Sequence, residues 1–481
     1  MPLEHPNDPL ARPFGIEESA RHLFDFFGLR LRFPFLGLAF AHCWLYCMPR
    51  IISTGSPYFS PLLYLGLSSA MLACALLAWL KGANASSRVG VASAGALLGV
   101  AGTFVLTSGV LPVAQGPLAV LLTLTCGCSV GCTYLGWGAF YRGLGLRQGV
   151  LVLFLTMALG SLLKIPFEML DPGLPTAILF STLPAASFVS WLLSMRRLPA
   201  LPQQPSHVVA RKRLPLGFYA CGVAMFGIAI GINRSLSTGF FDATAATAVS
   251  HLIEVTLAAS VIALVYRQQI EFDFSQLWML ILVVIATGLV IGRLSLPGAK
   301  PVSIATLSSG HLLLVIFYWL SLCDLAHRFK VPSDVVFGLG WPTYALPMAI
   351  ASGVAVCVGS LNGDVPLFVV YALLLSVFFF MSKHRQSDEA LFADLSLAAG
   401  PSGESLETRV HKLAQEHDFS PRETEVALLY AQGRSRSFIS AELVLSENTV
   451  RDHIAGIYRK LGVHNKQEYI DLLQQRAGAG R

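Results

Sequence analysis

Long apolar runs recur through most of this 481-residue chain. A helix needs about 20 apolar residues to cross the hydrocarbon core of a bilayer. Hydrophobic residues make up 54% of the sequence and charged residues only 13%, whereas a soluble domain carries about 25% charged residues. Such a chain cannot cover its apolar surface with polar groups in water. The sequence therefore predicts an all-α, polytopic membrane protein.

About twelve runs are long enough to cross a bilayer, and we predict a transmembrane helix in each. They lie near residues 33–53, 58–80, 89–113, 117–140, 148–167, 173–195, 215–233, 244–266, 275–292, 302–323, 336–359 and 365–382. The longest break between them is the basic, proline-rich loop 196–214, which divides this sensor domain, 33–382, into halves 33–195 and 215–382. Two six-helix halves resemble the topology of major facilitator transporters, whose substrate sites lie between the halves. The loop KGANASSRVG lacks the acidic residue of that family's loop between helices two and three.

Basic residues are unevenly distributed between the two sides of the predicted bundle. One set of loops holds Lys81, Arg88, Arg142, Arg147, Arg196, Arg197, Arg211, Lys212, Arg213, Arg267, Arg328, Lys330, Lys383 and Arg385. The other side holds only Arg50, Lys164, Arg234, Arg293 and Lys300. Because cytoplasmic loops carry an excess of Lys and Arg, we predict a multi-pass protein of the bacterial inner membrane. Both termini, including the N-terminal segment 1–32, are predicted to be cytoplasmic.

Several side chains inside the apolar runs are ionisable or polar, which is costly in a bilayer and marks functional candidates. His251 and Glu254 are three residues apart on one helix face, and His311 is a possible neighbour from another helix. Trp341, beside Pro342, marks a helix break that suits a binding cleft. We predict ligand sensing at His251, Glu254, His311 and Trp341, with His42 and Lys164 as further candidates. The alternative is that these residues form ordinary hydrogen bonds between helices.

The cysteines and the motif content indicate neither a metal site nor an enzyme. Nearly all nine cysteines lie in apolar segments, where a free Cys behaves as a small apolar residue. Cys128 and Cys132 of CGCSVGC share a helix face, but no His or acid lies near them in sequence. Gly127-Cys128-Ser129-Val130-Gly131 matches the letters GxSxG, but it lies inside an apolar run and not between a strand and a helix, so it is no nucleophile elbow. No phosphate loop or HExxH motif occurs. We therefore expect no disulfide, metal, cofactor or catalytic site.

The composition changes after residue 382, where a polar linker, 383–405, leads into a compact module, 406–481. Ser420-Pro421-Arg422-Glu423 is a capping box with proline at the first helical position, so a helix is predicted to begin there. That helix is predicted to stop at Gly433. A short helix near 437–444 follows, then a longer helix that Ser446 caps and Gly462 ends. A last helix is predicted near 466–473.

A short helix, a tight turn and a capped longer helix suit the major groove of DNA. The segments SPRETEV and SENTVRDHIAGIYRKLGV resemble the C-terminal DNA-binding domain of LuxR-type regulators. This resemblance implies that Glu423 is a buried structural acid. It also implies a groove-facing surface at Thr449, Val450 and Arg451, where Arg451 contacts a base. Phosphate contacts are predicted at Ser446, Asn448, Arg459 and Lys460. For Val450 the alternative is plain core packing, because it also lies on the apolar face of the helix.

These features predict a membrane-bound, one-component transcriptional regulator whose C-terminal helix-turn-helix binds DNA in response to a signal sensed in the membrane. The alternatives are a transporter-like protein with a DNA-binding reporter tail, and an inert anchor that releases its tail by proteolysis. The predicted partners are double-stranded DNA, the lipid bilayer, a small-molecule inducer and a second copy that pairs through the last helix, Tyr469 to Gln475. RNA polymerase is a further candidate partner.

Overall fold

The fold was analysed in a computed structural model of the 481-residue chain. It describes residues 32–51, 58–82, 85–109, 116–144, 146–171, 173–197, 216–236, 245–266, 274–291, 294, 298–328, 331–357, 371, 406–431, 435–466, 468–469 and 472–473. The chain divides into two compact units, Met1–Leu395 and Ser396–Arg481. The predicted linker 383–405 lies outside the described residues, as do residues 198–214 of the predicted basic loop.

The first unit is built from α-helices that follow a short 3-10 turn at Phe33–Leu36. In chain order they are α1 Leu38–Ile51, α2 Phe59–Lys81, α3 Ala85–Thr107, α4 Pro117–Arg142, α5 Leu146–Met169, α6 Leu174–Met195, α7 Leu216–Leu236, α8 Ala245–Tyr266, α9 Phe274–Ile291, α10 Ala299–Arg328 and α11 Ser333–Cys357. Each coincides with one of the first eleven predicted runs. The predicted twelfth helix, 365–382, lies outside the described residues apart from Tyr371.

Within the described residues, seven helices are long and apolar enough to cross a membrane. They are Phe59–Lys81, Ser87–Thr107, Pro117–Arg142, Gln148–Met169, Leu174–Met195, Pro301–Ala326 and Ser333–Cys357. Shorter apolar helices occupy Phe33–Pro49, Ala220–Ile232 and Ala248–Ala263. The lengths of the seven long helices suit a hydrocarbon core that is about 30 Å thick. The protein is therefore an all-α, polytopic membrane protein.

The packing of the membrane helices repeats with a shift of six helices. In the first half α1 packs on α5, α2 on α4 and α3 on α4; in the second half α7 packs on α11, α8 on α10 and α9 on α10. The halves meet where α2 packs on α11 and where α5 packs on α8. These two contacts are equivalent, because a shift of six helices relates α2 to α8 and α5 to α11. Such a repeat is typical of membrane proteins built from two related halves.

Small residues let some of these helices approach closely. A methyl group at Gly66 of α2 would collide with the backbone of Leu124, and one at Gly127 of α4 would collide with the backbone of Leu63. Close backbone approach at small residues is a common way to pack helices in lipid. Cys128 lies in the same interface and donates to the Gly66 carbonyl at 3.4 Å. This contact places Cys128 in helix packing.

The second unit contains the helices α12 Leu406–Glu416, α13 Pro421–Ala431, α14 Arg436–Leu443 and α15 Glu447–Leu461. Two of the predicted caps are formed. The Ser420 N–H donates to Glu423 Oε2 at 2.7 Å while Ser420 Oγ accepts from the Glu423 N–H at 3.2 Å. Ser446 Oγ accepts from the Thr449 N–H at 3.1 Å. The short helix begins one residue earlier than predicted, because Ser435 caps it.

One apolar cluster holds these helices together. Its buried members are Val410, Leu413, Val426, Ala427, Tyr430, Ile439, Val450, Ile454, Ile457, Tyr469 and Leu473. They come from every helix of the unit and from the residues after α15, so the unit has a core of its own. Gly462 ends α15 in the left-handed conformation, with φ 68°. Gly433, the predicted stop of α13, lies outside the described residues.

The turn between α14 and α15 contains a strained residue. Val444 adopts the left-handed conformation, with φ 53° and ψ 50°, and is 90% exposed. That conformation costs a non-glycine residue roughly 1–2 kcal/mol, and a β-branched side chain is a particularly poor fit. Because the Val444 side chain is almost fully exposed, it regains little of this cost through burial.

We expect Val444→Gly to stabilise the second unit. Relief of the left-handed strain exceeds the entropy that glycine loses on folding, so the free energy of unfolding should rise by about 1 kcal/mol. For a domain of this size, 1 kcal/mol corresponds to a melting-temperature rise of about 4 to 8 °C. Thermal unfolding of the fragment 396–481 measures it, with Val463→Gly as the control that should destabilise. An unchanged or lower midpoint for Val444→Gly would contradict this account of the turn.

Candidate functional site

One face of α15 is exposed along its whole length. Asn448, Arg451, Asp452, Ala455 and Arg459 are all exposed and recur at the three- and four-residue spacing of one helix face. The opposite face packs in the core. Arg451 lies one turn from the start of this stripe and Arg459 lies at its end. Their planar guanidinium groups can donate paired hydrogen bonds to bases or phosphates.

The other predicted DNA contacts occupy different environments. Val450 is fully buried in the core, so its side chain does not lie on the exposed face, contrary to the expectation. Its spacing from Ile454 and Ile457 explains this, because the three residues form the inner face of α15. Ser446 and Thr449 lie at the start of α15, where their hydroxyl groups are 2.8 Å apart. A phosphate that contacts these hydroxyls would lie at the start of the helix, where backbone N–H groups also point outward.

Lys460 is engaged within the protein. Its Nζ donates to Glu423 Oε2 at 2.7 Å and to the Asp418 carbonyl at 2.8 Å. Burial alone would raise the pKa of Glu423, but the hydrogen bonds from Lys460 and from the Ser420 N–H and hydroxyl outweigh burial and lower it. Glu423 thus joins the start of α13 to the end of α15. This arrangement gives Lys460 a structural contact, and its contact with a phosphate stays a prediction.

The predicted pairing segment, Tyr469 to Gln475, is only partly described. Tyr469 is buried and its hydroxyl donates to the Ala427 carbonyl at 3.0 Å. Leu473 is also buried, and its carbonyl accepts from Arg409 Nη1 at 2.9 Å. Both Tyr469 and Leu473 are therefore held on the core of the unit. Gln474 and Gln475 lie outside the described residues.

A buried ionic cluster lies between the two halves of the membrane unit. Lys164 Nζ donates to Glu254 Oε2 at 2.9 Å, and both side chains are less than 5% exposed. Ser161 Oγ donates to the same oxygen at 2.5 Å, and Ser308 donates to the other oxygen. The ion pair joins α5 to α8. Glu254 is therefore paired with a buried lysine from the other half.

His251 extends this cluster to a second acid. Its Nδ1 lies 3.2 Å from Glu254 Oε2, as the three-residue spacing predicts, and its Nε2 lies 3.0 Å from Glu168 Oε2. Glu168 is a member of the cluster that sequence reasoning missed. It lies next to the end of α5, where an acid is ordinary in sequence, so only the packing of α5 on α8 identifies it.

His311 lies in a neighbouring polar chain. Its Nδ1 is 3.2 Å from the Tyr46 hydroxyl and its Nε2 is 2.7 Å from the Tyr344 hydroxyl. Lys164 Nζ lies 5.3 Å from the centre of the Tyr46 ring, which brings the ionic cluster close to this chain. His42, also buried, packs its ring 4.4 Å from that of Tyr46. The predicted neighbours His251 and His311 thus belong to adjoining networks.

Trp341 lies in an aromatic cluster. Its ring centre is 5.2 Å from that of Tyr134, 5.4 Å from that of Tyr318 and 5.7 Å from that of Trp319. It lines a crevice between α7, α10 and α11 that leaves no room for a water molecule; the lining is Val223, Leu314, Val315, Tyr318, Trp341 and Tyr344. The predicted cleft at Trp341 is closed in this structure, and Pro342 lies within continuous α11.

The core, the caps and the turn define the second unit as a helix-turn-helix DNA-binding domain. Residues 417–473 match the family described as bacterial regulatory proteins, luxR family. The spore germination protein GerE of Bacillus subtilis is 43% identical over 54 residues, which cover 11% of this chain and 73% of GerE. The chain belongs to the LuxR family of regulators, as the sequence motifs predicted.

Two further comparisons cover different parts of the chain. The transcriptional regulatory protein UhpA of Salmonella typhimurium is 36% identical over 120 residues, 25% of this chain and 61% of UhpA. The chain thus spans less than two thirds of the length of UhpA. A solved structure of the major facilitator transporter FucP, in the outward conformation, is 13% identical with a TM-score of 0.46. That likeness covers 73% of this chain and 97% of FucP.

We expect Glu423→Gln to weaken the second unit near neutral pH. The variant keeps a side chain that can reach the Ser420 N–H but loses the ionic contact with Lys460, at a cost of roughly 0.5 to 1 kcal/mol. Because the pKa of Glu423 is lowered from 4.5 in the folded state, its contribution is present above about pH 4.5 and is lost as the pH falls below that value.

Denaturant unfolding of the fragment 396–481 between pH 3 and pH 7 measures this difference. The control is Glu425→Gln, because the Glu425–Arg422 pair is half exposed and should contribute little. Equal stabilities of Glu423→Gln and wild type at pH 7 would rule out the stabilising link.

Proposed function

We propose that this chain is a membrane-bound, one-component transcriptional regulator. In this proposal its C-terminal helix-turn-helix binds specific DNA sequences, and the membrane unit senses the signal that controls this binding. The observation that carries the proposal is the presence, in one chain, of a LuxR-family DNA-binding domain and a membrane unit whose halves meet at a buried ionic cluster. Ionisable groups at membrane depth usually mark functional sites.

The DNA must lie on the same side of the membrane as the second unit. We therefore propose that the C-terminus is cytoplasmic and that the membrane is the bacterial inner membrane, in agreement with the basic loops. The N-terminus is then cytoplasmic if the number of spans is twelve. We propose that the exposed face of α15 binds double-stranded DNA. The membrane unit is proposed to bind a small-molecule inducer, and the DNA-binding domain is proposed to pair with that of a second copy.

A transporter-like protein with a DNA-binding reporter tail is the second candidate function. The observation that favours it is the repeated packing of helices, in which α2 meets α11 and α5 meets α8 across the two halves. A ligand that binds between such halves can be carried as well as sensed. Uptake of candidate inducers into vesicles that contain the full chain separates the two functions, since a regulator without transport takes up none.

We expect Arg451→Ala to weaken binding to the operator by about 1 to 3 kcal/mol while the domain stays folded. The physical reason is the loss of a paired hydrogen bond from the guanidinium to a base, which also relaxes the preference at that base. Arg451 is 62% exposed on its side chain, so its removal leaves the core intact. Footprinting with purified protein, together with a melting curve, measures both effects.

Lys412→Ala is the charge-matched control, because Lys412 is exposed on α12, a different helix from the one that carries Arg451. Lys460→Ala is a second comparison. It should lower stability through the lost contact with Glu423 and leave the base preference unchanged. If Arg451→Ala gave the wild-type footprint and affinity, the proposed base contact would be wrong.

We expect Glu254→Gln to abolish the response of DNA occupancy to the inducing signal. The variant removes the negative charge that compensates buried Lys164, so the ion pair that joins α5 to α8 is lost. Genome-wide mapping of bound DNA, with and without candidate inducers, identifies the operator and the signal. Occupancy at that operator then compares the variant with wild type.

Two comparisons separate loss of sensing from loss of folding. Thr256→Val lies two residues further along α8 on its exposed side and should respond normally. Combining Lys164→Glu with Glu254→Lys restores an ion pair between α5 and α8 and should recover folding at wild-type expression levels. A wild-type response from well-expressed Glu254→Gln would show that this carboxylate takes no part in sensing.

A further inference from the structure

His251 lies directly between two carboxylates. Its Nδ1 is 3.2 Å from Glu254 Oε2, and its Nε2 is 3.0 Å from Glu168 Oε2. An ionised carboxylate can only accept hydrogen bonds, and a neutral imidazole has one N–H to donate. Both contacts are therefore hydrogen bonds only when one further proton is present in the site. An imidazolium at His251, which donates from both nitrogens, satisfies both acids at once.

The charges of the cluster balance only with that proton. Glu168 and Glu254 contribute two negative charges, and Lys164 contributes one positive charge. Protonated His251 supplies the second positive charge, whereas neutral His251 would leave an excess negative charge next to side chains that are 1% to 5% exposed. An uncompensated charge in such a place is strongly unfavourable. The bound proton is thus part of what holds the cluster together.

The proton also lies at a boundary between helices that belong to different halves. Lys164 and Glu168 are on α5, whereas His251 and Glu254 are on α8. Among the described residues, the other titratable groups near this boundary include His42, Tyr46 and Cys47 from α1 and His311 from α10. His311 is hydrogen-bonded to tyrosine hydroxyls, and among the described residues the ring nitrogens of His42 have no hydrogen-bond partner. His251 is thus the group among them that bridges two acids across the halves.

We propose that His251, held between Glu254 and Glu168, is a proton-binding site that joins the two membrane halves and makes their association depend on pH. Protonation lets His251 donate at once to Glu254 on its own helix, α8, and to Glu168 on α5. Deprotonation removes one of these bonds and leaves two carboxylates facing one ammonium group. The effect of this step on DNA binding rests on the proposed function, whereas the proton site itself does not.

The experiment measures thermal unfolding of the membrane unit in the full chain, reconstituted in lipid nanodiscs, between pH 5 and pH 9. A proton that binds more tightly in the folded state stabilises it at low pH, and this contribution is lost as the pH rises. Wild type should lose stability as the pH rises through a single midpoint. His251→Gln should lose that step, because its side chain does not titrate.

Glu168→Gln provides a second, milder test. This side chain is 15% exposed, at the edge of the cluster, so the variant is less prone to misfold than changes at Lys164 or Glu254. Loss of one anionic partner weakens proton binding, so the midpoint should move to lower pH than in wild type. His411→Gln, an exposed histidine on α12, is the control that should keep the wild-type profile.

A wild-type pH profile in folded His251→Gln overturns the proposal. If His251→Gln does not fold, an unshifted midpoint in Glu168→Gln overturns it instead. DNA occupancy of the same samples provides a separate readout. A pH step that depends on His251, with occupancy that is constant across that step, supports the proton site and counts against the proposed coupling between membrane and DNA.

Discussion

A polar group in the hydrocarbon core of a membrane has no water to bind, so the protein must supply its partners. The described part of the bundle meets this demand in two ways. Many hydroxyl groups bond within their own helix, as Thr107 does to the Thr103 carbonyl at 2.7 Å. Groups that cannot do so join different helices, as Trp44 Nε1 does when it donates to Thr103 at 2.9 Å. Glu254 carries a full charge and needs the most partners, and it obtains them from α5, α8 and α10.

This demand explains why the ionic cluster lies where the two halves meet. A single helix cannot surround a carboxylate with donors, whereas the packing of α5 on α8 brings Lys164 and Ser161 to Glu254. The same contacts that satisfy the charge also fix the relative position of the two helices. We therefore expect a change in the charge of any member to alter how α5 packs on α8, and the proposed sensing function would use this property.

Local features of the sequence predicted more than long-range ones. The positions of α1 to α11 follow from the lengths of the apolar runs, and the caps at Ser420 and Ser446 follow from residues three positions apart. The sequence also drew attention to Lys164 and to the pair His251 and Glu254, because charge in an apolar run is conspicuous. It could not pair Lys164 with Glu254, which are 90 residues apart, since that pairing depends on how the helices pack.

The same distinction holds in the DNA-binding domain. Family resemblance placed Val450 at the DNA surface, whereas its spacing with Ile454 suited the core, and the structure agrees with the spacing. The resemblance implied a structural role for Glu423, but its partner Lys460 lies 37 residues away and became evident only in the folded domain. Local pattern is therefore the better guide to burial, and tertiary contacts decide which exposed charges are available for DNA.

The charge that α15 presents has a consequence for how the proposed regulator would be controlled. Its exposed stripe carries Arg451 and Arg459 but also Asp452, and Lys460 is held by Glu423. Affinity for DNA grows with the number of phosphates that a protein neutralises, so one copy of this domain should bind weakly. A second domain held nearby turns the next binding event into an effectively intramolecular one and can raise affinity by about 10² to 10⁴ without new contacts. Confinement to a membrane favours such pairing, so small changes in the membrane unit would suffice to control occupancy.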